Sequence, residues 1–316
     1  MISSKLKKVF LTSILAGFVS AGNAQSPSTD EKLETALTEM TNDFKGVAGV
    51  YVYNSRTNKE AGVNADTIFP TASIVKLPIL TAIFKKIAAG EYKYNEPLVY
   101  SQDRAYGGSG VVQFFKDSSA TDLHTAVALM MSFSDNTTAL WSQELAGGGV
   151  EINKFMEELG LEHTRMNSRT EGRKQLWERY GWGQTTPREM AQLLLKIRSG
   201  EVVSKAASEE MYRLMTNSFY TDYALSQIPP YVQTASKQGM VDDSRSELVM
   251  VNAPGGDYVF YVATNANEDQ SWEAENEAWE LTRKISAYLW NYFEPESNWK
   301  PAAGIKELTT GLIYGP

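Results

Sequence analysis

A lysine set into an apolar run needs either a partner or a task, because burying an unpaired ammonium is strongly unfavourable. From Phe69 to Phe84 the chain is almost wholly apolar, yet Ser73 and Lys76 stand within it. A helix apolar on all sides belongs in a domain interior. Being three residues apart, the two share a helical face and their side chains can meet. Burial disfavours the charged amine and lowers its pKa from about 10.4, turning a surface cation into a base for a neighbouring hydroxyl. The chemistry suggested is that of a serine nucleophile activated by lysine. The pair alone is weak, since a chain this long meets S-x-x-K about once by accident, and Ser4 with Lys7 is such a case. Pro78 would break a helix interior, so the helix is expected to begin near Ser73 with an irregular first turn.

Two further constellations follow. Ser134-Asp135-Asn136 lies between two helical patterns, where Ser, Asp and Asn are also ordinary N-caps. Lys237-Gln238-Gly239 precedes a β-rich segment and by itself reads as a polar strand entry.

The elements that must position these residues come from periodicity. Ser28-Thr29-Asp30-Glu31 resembles a capping box, and Leu33, Leu37, Met40 and Phe44 recur at helical spacing, predicting a helix over 28–44. Segments 47–53 and 59–63 read as a hairpin. Helices are predicted from Ser73 to near Gly90, over 122–131, over 137–145 up to Gly147-Gly148-Gly149, and over 150–159, 187–198 and 204–217. Between Leu159 and Thr185 no period is evident, and a loop of that length inside a domain is usually functional. A second hairpin, 247–252 with 258–264, and a helix over 272–293 close the pattern. The expected fold is α/β of the α+β kind, an antiparallel sheet formed from both chain ends and flanked by the terminal helices, with an all-helical region inserted. Its parts are a signal peptide over 1–24, a sheet region over 25–70 and 228–294, a helical region over 71–227 and a tail over 295–316.

Composition excludes several classes. Lys5, Lys7 and Lys8, an apolar run and small residues ending at Ala24 read as a secretory leader, so the protein is expected to be exported, periplasmic or secreted, with no stable membrane span after cleavage. The leader holds three of the 30 basic residues and none of the 38 acidic ones, leaving a mature net charge of −11. Such a protein is a poor partner for nucleic acid. There is no cysteine, which removes thiolate metal sites and cysteine nucleophiles. With only His124 and His163, a multi-histidine zinc site is not expected, and a Ser-His-Asp triad would have to use one of the two. Nothing implies a metal or organic cofactor, and a monomer is expected.

Taken in order, S-x-x-K, S-D-N and K-x-G opening a late strand form the signature of class A serine β-lactamases and penicillin-binding proteins. The chain resembles that superfamily over nearly its whole mature length, with Gly108-Ser109-Gly110 and Thr185-Thr186-Pro187-Arg188 as supporting text. The resemblance implies that Ser73 attacks the carbonyl of a small-molecule β-lactam or of a D-alanyl peptide, with Lys76 as base or proton carrier. It implies that Ser134 relays a proton toward the leaving nitrogen and that Lys237 holds that hydroxyl in a positive field. Asn136 would orient Lys76 and contact the acyl amide. The N–H groups of Ser73 and Met240, beside Gly239, match the oxyanion hole, and Arg245 matches a ligand of the substrate carboxylate.

The departures open alternatives. The family's E-x-x-L-N appears here as Glu171 followed by Lys174-Gln175, so Glu171 is either the carboxylate that activates the deacylating water or a solvated loop residue. Gln238 replaces the usual Thr or Ser; its amide can still donate to a carboxylate. The leading reading is a β-lactamase-type serine hydrolase. A D,D-peptidase, penicillin-binding or esterase-like enzyme with slow deacylation is the alternative, and a non-catalytic ligand-binding homologue is a third.

Overall fold

The computed structural model describes residues 26–301; the expected leader and most of the expected tail lie outside them. The chain opens with β1 (Ser28–Thr29), α1 (Glu31–Thr41), β2 (Val47–Asn54), β3 (Lys59–Val63) and β4 (Phe69–Pro70). A 3-10 turn over Ala72–Val75 runs directly into α2 (Lys76–Ala88). Next come β5 (Pro97–Val99), β6 (Ala120–Asp122), α3 (Leu123–Ser132), α4 (Asn136–Leu145) and α5 (Gly148–Glu158). β7 (Arg165–Met166), α6 (Lys174–Tyr180) and β8 (Gly183–Thr185) lead to α7 (Pro187–Ser199) and α8 (Lys205–Met215). The chain closes with β9 (Thr234–Val241), β10 (Ser244–Val251), β11 (Tyr258–Asn265) and α9 (Glu277–Phe293).

Strands from both ends build one sheet in the order β1-β3-β2-β11-β10-β9, antiparallel except where β1 runs parallel to β3. Alternation divides its side chains between two cores. Val50, Val52, Val249, Phe260 and Val262 meet Leu33, Leu37, Ile285 and Leu289 of α1 and α9 on one face. Tyr51, Leu248, Met250, Val259 and Tyr261 meet the interior helices, including Leu193, Leu194 and Ile197 of α7, on the other. Each such aliphatic side chain contributes roughly 1.5–3 kcal/mol on burial. The sheet and its helical layers therefore hold β9, an edge strand, against the start of α2.

Several boundaries differ from the pattern-based expectation. Ser28 and Thr29 extend along β3, with the Asp30 N–H donating to the Glu60 carbonyl, and Asp30 rather than Ser28 caps α1 by accepting from the Leu33 N–H. Gly148 and Gly149 begin α5 instead of ending the preceding helix. The stretch from Leu159 to Thr185 contains α6, which buries no side chain and so displays no apolar stripe to detect. Lys237 lies inside β9, not ahead of it. The last helix starts at Glu277, because the Asp269 carboxylate accepts from the Ser271 and Glu277 N–H groups and holds 269–276 in an irregular turn. The expected tail is anchored at its start, where Ser297 accepts from the Trp290 indole and Trp299 packs on the α1/α9 core.

Asp135 fixes the junction that presents Ser134 and Asn136. One carboxylate oxygen caps α4 by accepting from the Thr138 N–H at 2.8 Å; the other accepts from the Val111 and Val112 N–H groups at 2.7 and 2.8 Å. Gly110 is required beside it, since a Cβ there would lie 2.4 Å from the Asp135 Cα, and its φ is +101°. Asp135→Ala removes a helix cap and leaves two loop donors unmet, so a loss of about 3 kcal/mol is expected in urea unfolding, with Asp135→Asn losing less.

Candidate active site

The 3-10 turn before α2 carries Ser73, and the Ala72 that precedes it is held at a φ of +41°. Ser134 is likewise left-handed, at +55°. Non-glycine residues in that region are strained and collect at functional sites. The strain sets two hydroxyls around one amine. Lys76 Nζ lies 2.8 Å from Ser73 Oγ, 3.0 Å from Ser134 Oγ, 2.7 Å from the Ser134 carbonyl oxygen and 2.8 Å from Asn136 Oδ1. Asn136 is oriented by its amide donating to the Gly107 carbonyl at 3.1 Å. Lys237 Nζ reaches Ser134 Oγ from the other side at 3.0 Å and donates to the Gln238 carbonyl at 2.8 Å. Both lysines are 0% exposed.

Burial, then the neighbouring Lys237 charge, pushes the Lys76 amine well below the usual lysine range, against a smaller opposing pull from Asp135. Burial lowers Lys237 to about 7, with the Glu247 carboxylate opposing. Two depressed amines flanking one serine hydroxyl make a path along which a proton can move between Ser73, Lys76 and Ser134.

Gly239 brings β9 against the Ser73 turn: a Cβ there would lie 2.4 Å from the Thr71 carbonyl oxygen and 3.0 Å from the Ser73 nitrogen. Met240 follows it and lines both cavities that meet at Ser73. One, of about 390 Å³, is walled by Tyr106, Trp177, Glu178, Tyr180 and Trp182. The other, of about 640 Å³, opens on the Ser134 side.

Two of the expected site residues are placed away from Ser73, and a third turns its amide away from Lys237. Glu171 is exposed and lines a separate cavity of about 550 Å³ that does not include Ser73. Between the two stand Trp177, Trp182 and Tyr106, which line both. The β4–β8 pairing and the Thr71 N–H bond to the Gly183 carbonyl bring the Trp182 ring within 5.7 Å of Lys76 Nζ. Arg245 is 1% exposed, its guanidinium donating to the Ser244 and Ser271 carbonyls. It pairs in register with Met240, whereas Lys237 pairs with Leu248, so its side chain belongs to the opposite face of the sheet. Gln238 lines the Ser134-side cavity, but it pairs with Glu247 and its amide is buried on that far face rather than turned beside Lys237.

Neither histidine is near. His124 packs on Tyr94 with ring centroids 4.6 Å apart, and the exposed His163 donates its backbone N–H to Glu189. Among the described residues no group of three or more His, Asp or Glu side chains could hold a metal. Sequence reading missed Trp182, Tyr106 and Trp177, which stand in aperiodic segments; the density of Trp and Tyr over 177–182 was the only signal available.

Half-buried Ser73 and buried Lys76, Ser134 and Lys237 meet where a helical layer packs against an antiparallel sheet, the arrangement that serine acyl transfer requires. The beta-lactamase enzyme family matches residues 32–293, and the chain belongs to that family of hydrolytic serine enzymes. It is similar to β-lactamase VEB-1 of Pseudomonas aeruginosa, 22% identical over 302 residues, covering 92% of this chain and 99% of that one. Similarity to β-lactamase SME-1 of Serratia marcescens is 25% over 195 residues, covering 59% of this chain and 63% of the other. Among solved structures, PBP-A superposes with a TM-score of 0.76 at 26% identity, covering 86% of this chain and 99% of PBP-A. A variant of PBP-A, solved as an acyl-enzyme complex with penicillin G, gives the same score and identity, covering 86% of this chain and 100% of the variant. The extended-spectrum β-lactamase TLA-1 shares the fold, with a TM-score of 0.75 at 18% identity over 83% of this chain and 98% of TLA-1.

On the far face of the sheet, burial raises the Glu247 carboxyl from its ordinary 4.5 to about 8. The folded state therefore holds a proton that the unfolded chain releases between those values, and stability falls as pH rises through that window. Glu247→Gln stays neutral throughout, so its stability relative to the native protein should improve from pH 4.5 to pH 8 and then level off, as read by urea unfolding at each pH.

Proposed function

We propose that this protein is a β-lactamase-type serine hydrolase that opens the β-lactam amide through an acyl-enzyme on Ser73. The observation that carries the reading is a fully buried Lys76 amine within hydrogen-bond reach of both Ser73 Oγ and Ser134 Oγ. Ser73 Oγ attacks the carbonyl carbon while Lys76 takes its proton. Ser134, steadied by Lys237, passes a proton to the departing nitrogen as the C–N bond breaks. The backbone N–H groups of Ser73 and Met240 receive the oxyanion. Water then cleaves the ester and restores Ser73. The charged leader supports action outside the cytoplasm, where such substrates are met.

A second reading has a specific observation in its favour. Glu171 lies in another cavity and Trp182 covers Lys76, which favours rapid acylation with slow deacylation, as in a penicillin-binding enzyme.

The test is intact-mass spectrometry with benzylpenicillin alongside turnover of a chromogenic cephalosporin. A covalent adduct absent from Ser73→Ala is expected, and its lifetime separates the two readings: seconds for a lactamase, hours for a penicillin-binding enzyme. No adduct and no turnover above that control would remove both. Acylation needs the neutral amine, so its rate should decline as pH is lowered through the depressed Lys76 pKa. Glu171→Ala should change the adduct's lifetime by no more than about twofold, the scale of a residue without contact to the reacting atoms.

A further inference from the structure

Glu171 stands beside a cavity that the chemistry at Ser73 leaves unused. It holds about 550 Å³, a volume typical of a small-molecule site. The chain segment that walls it is fixed from behind. Asn153 brackets Met166, accepting from its N–H at 2.6 Å and donating to its carbonyl at 3.0 Å. The Asn167 and Ser168 N–H groups both donate to the Trp182 carbonyl, and Gln143 donates to the Ser168 carbonyl at 2.6 Å. Gly149 lets Thr170 settle on α5, since a Cβ there would lie 2.8 Å from the Thr170 Cβ. Between these anchors Arg169 is held at a φ of +49°, a strained conformation of the kind that collects at functional sites. Ser168 lines the cavity at 6% exposed, and its hydroxyl makes no hydrogen bond among the described residues. Arg169 and Lys174 line it too, both exposed. The Arg169 guanidinium makes no hydrogen bond or ion pair among the described residues; Glu144, which senses its charge, gives its oxygens to Arg104. Lys174 reaches Glu178 only at 3.9 Å. Glu171 is the one acid in the lining, and Tyr106, Trp177 and Trp182 supply an aromatic side, with the Tyr106 and Trp182 rings meeting edge-on at 5.4 Å.

We propose that this cavity is a second ligand site, separate from the Ser73 cavities, and that it takes a small aromatic carboxylate, its ring against Trp177 and Trp182 and its carboxylate on Arg169, Lys174 and the Ser168 hydroxyl. A carboxylate here meets two cations and a free hydroxyl donor against one like charge. A ring exchanges water for aromatic contact. A ligand lacking either part forgoes one half of the lining, and a cationic ligand meets two like charges. Tyr106, Trp177 and Trp182 also line the cavity of about 390 Å³ at Ser73, so an occupant touches that side only through the shared rings and leaves room there for a β-lactam. The site is independent of the acyl-enzyme reading.

The probe is N-acetyl-phenylalanine, with N-acetyl-phenylalaninamide as its uncharged counterpart and N-acetylglycine as its ringless one, titrated into the native full-length protein by calorimetry and by tryptophan emission. The aromatic acid should bind more tightly than either control by roughly fivefold or more. Arg169→Gln and Lys174→Gln should each weaken it by roughly threefold, and Arg169→Lys should keep most of the affinity. Glu171→Gln should strengthen binding, because it removes the like charge. Arg179→Gln should leave binding unchanged, since Arg179 lines the Ser73 cavity and not this one. Equal affinity for the acid and the amide, binding that survives the combined Arg169→Gln and Lys174→Gln variant, or displacement of the probe by benzylpenicillin overturns the proposal. So does the absence of saturable binding at millimolar concentration; a benzylpenicillin adduct on Ser73 in that same protein would leave the acyl-enzyme reading standing and remove this site alone.

Discussion

A single amine removed from water governs this structure. Lys76 contributes its chemistry because it is wholly buried, and burying it is tolerated because four oxygen atoms surround its nitrogen. Those oxygens come from residues 58 and 60 positions away as well as from the neighbouring turn. An isolated helix bearing the same sequence would expose the amine and return its pKa to the ordinary lysine range. The reactive state of Lys76 is thus a property of tertiary packing.

The packing works by fixing backbone where ordinary geometry would place these groups apart. Ala72 and Ser134 adopt left-handed conformations on either side of the amine, each costing on the order of 1–3 kcal/mol in isolation. Both costs are met by neighbours that over-determine the turn. Asp135 holds the α3–α4 junction with three N–H bonds, and Gly239 lets β9 approach the Ser73 turn closer than any side chain would permit. Sheet and helical layers meet where the strain is stored.

The sequence disclosed what is local and lost what depends on register or path. Ser73 with Lys76 was legible because three residues on a helix make neighbours. Ser134, Asn136 and Lys237 were legible because short patterns in a set order carry a known chemistry. The orientations of Arg245 and Gln238 were not legible because adjacent strand residues point to opposite faces, and a one-residue difference in pairing decides which of them turns toward Lys237. The position of Glu171 was not legible because the path of an aperiodic segment is set by contacts such as Arg173 to Asn167 and Gln184, which have no spacing rule. Trp182 left no trace beyond composition, since its ring meets Lys76 only through the tertiary fold. That one antiparallel sheet is formed from both chain ends, by contrast, followed from the strand patterns there.

The bond inventory at Lys76 also explains how one residue can serve as base and as carrier. The Ser134 carbonyl and Asn136 Oδ1 can only accept, so they take two N–H groups in either protonation state. What remains on the nitrogen is a lone pair when the amine is neutral and a third N–H when it is charged. Only the Ser73 and Ser134 hydroxyls, at 2.8 and 3.0 Å, are left to meet it, and a hydroxyl can donate or accept. Taking a proton from Ser73 and giving one to Ser134 therefore requires that single position to turn between the two hydroxyls. Lys237 is bonded to the Ser134 hydroxyl at 3.0 Å and gives it a second donor. Removing either fixed acceptor would cost more than a hydrogen bond, because the nitrogen would then be free to turn away from the two hydroxyls.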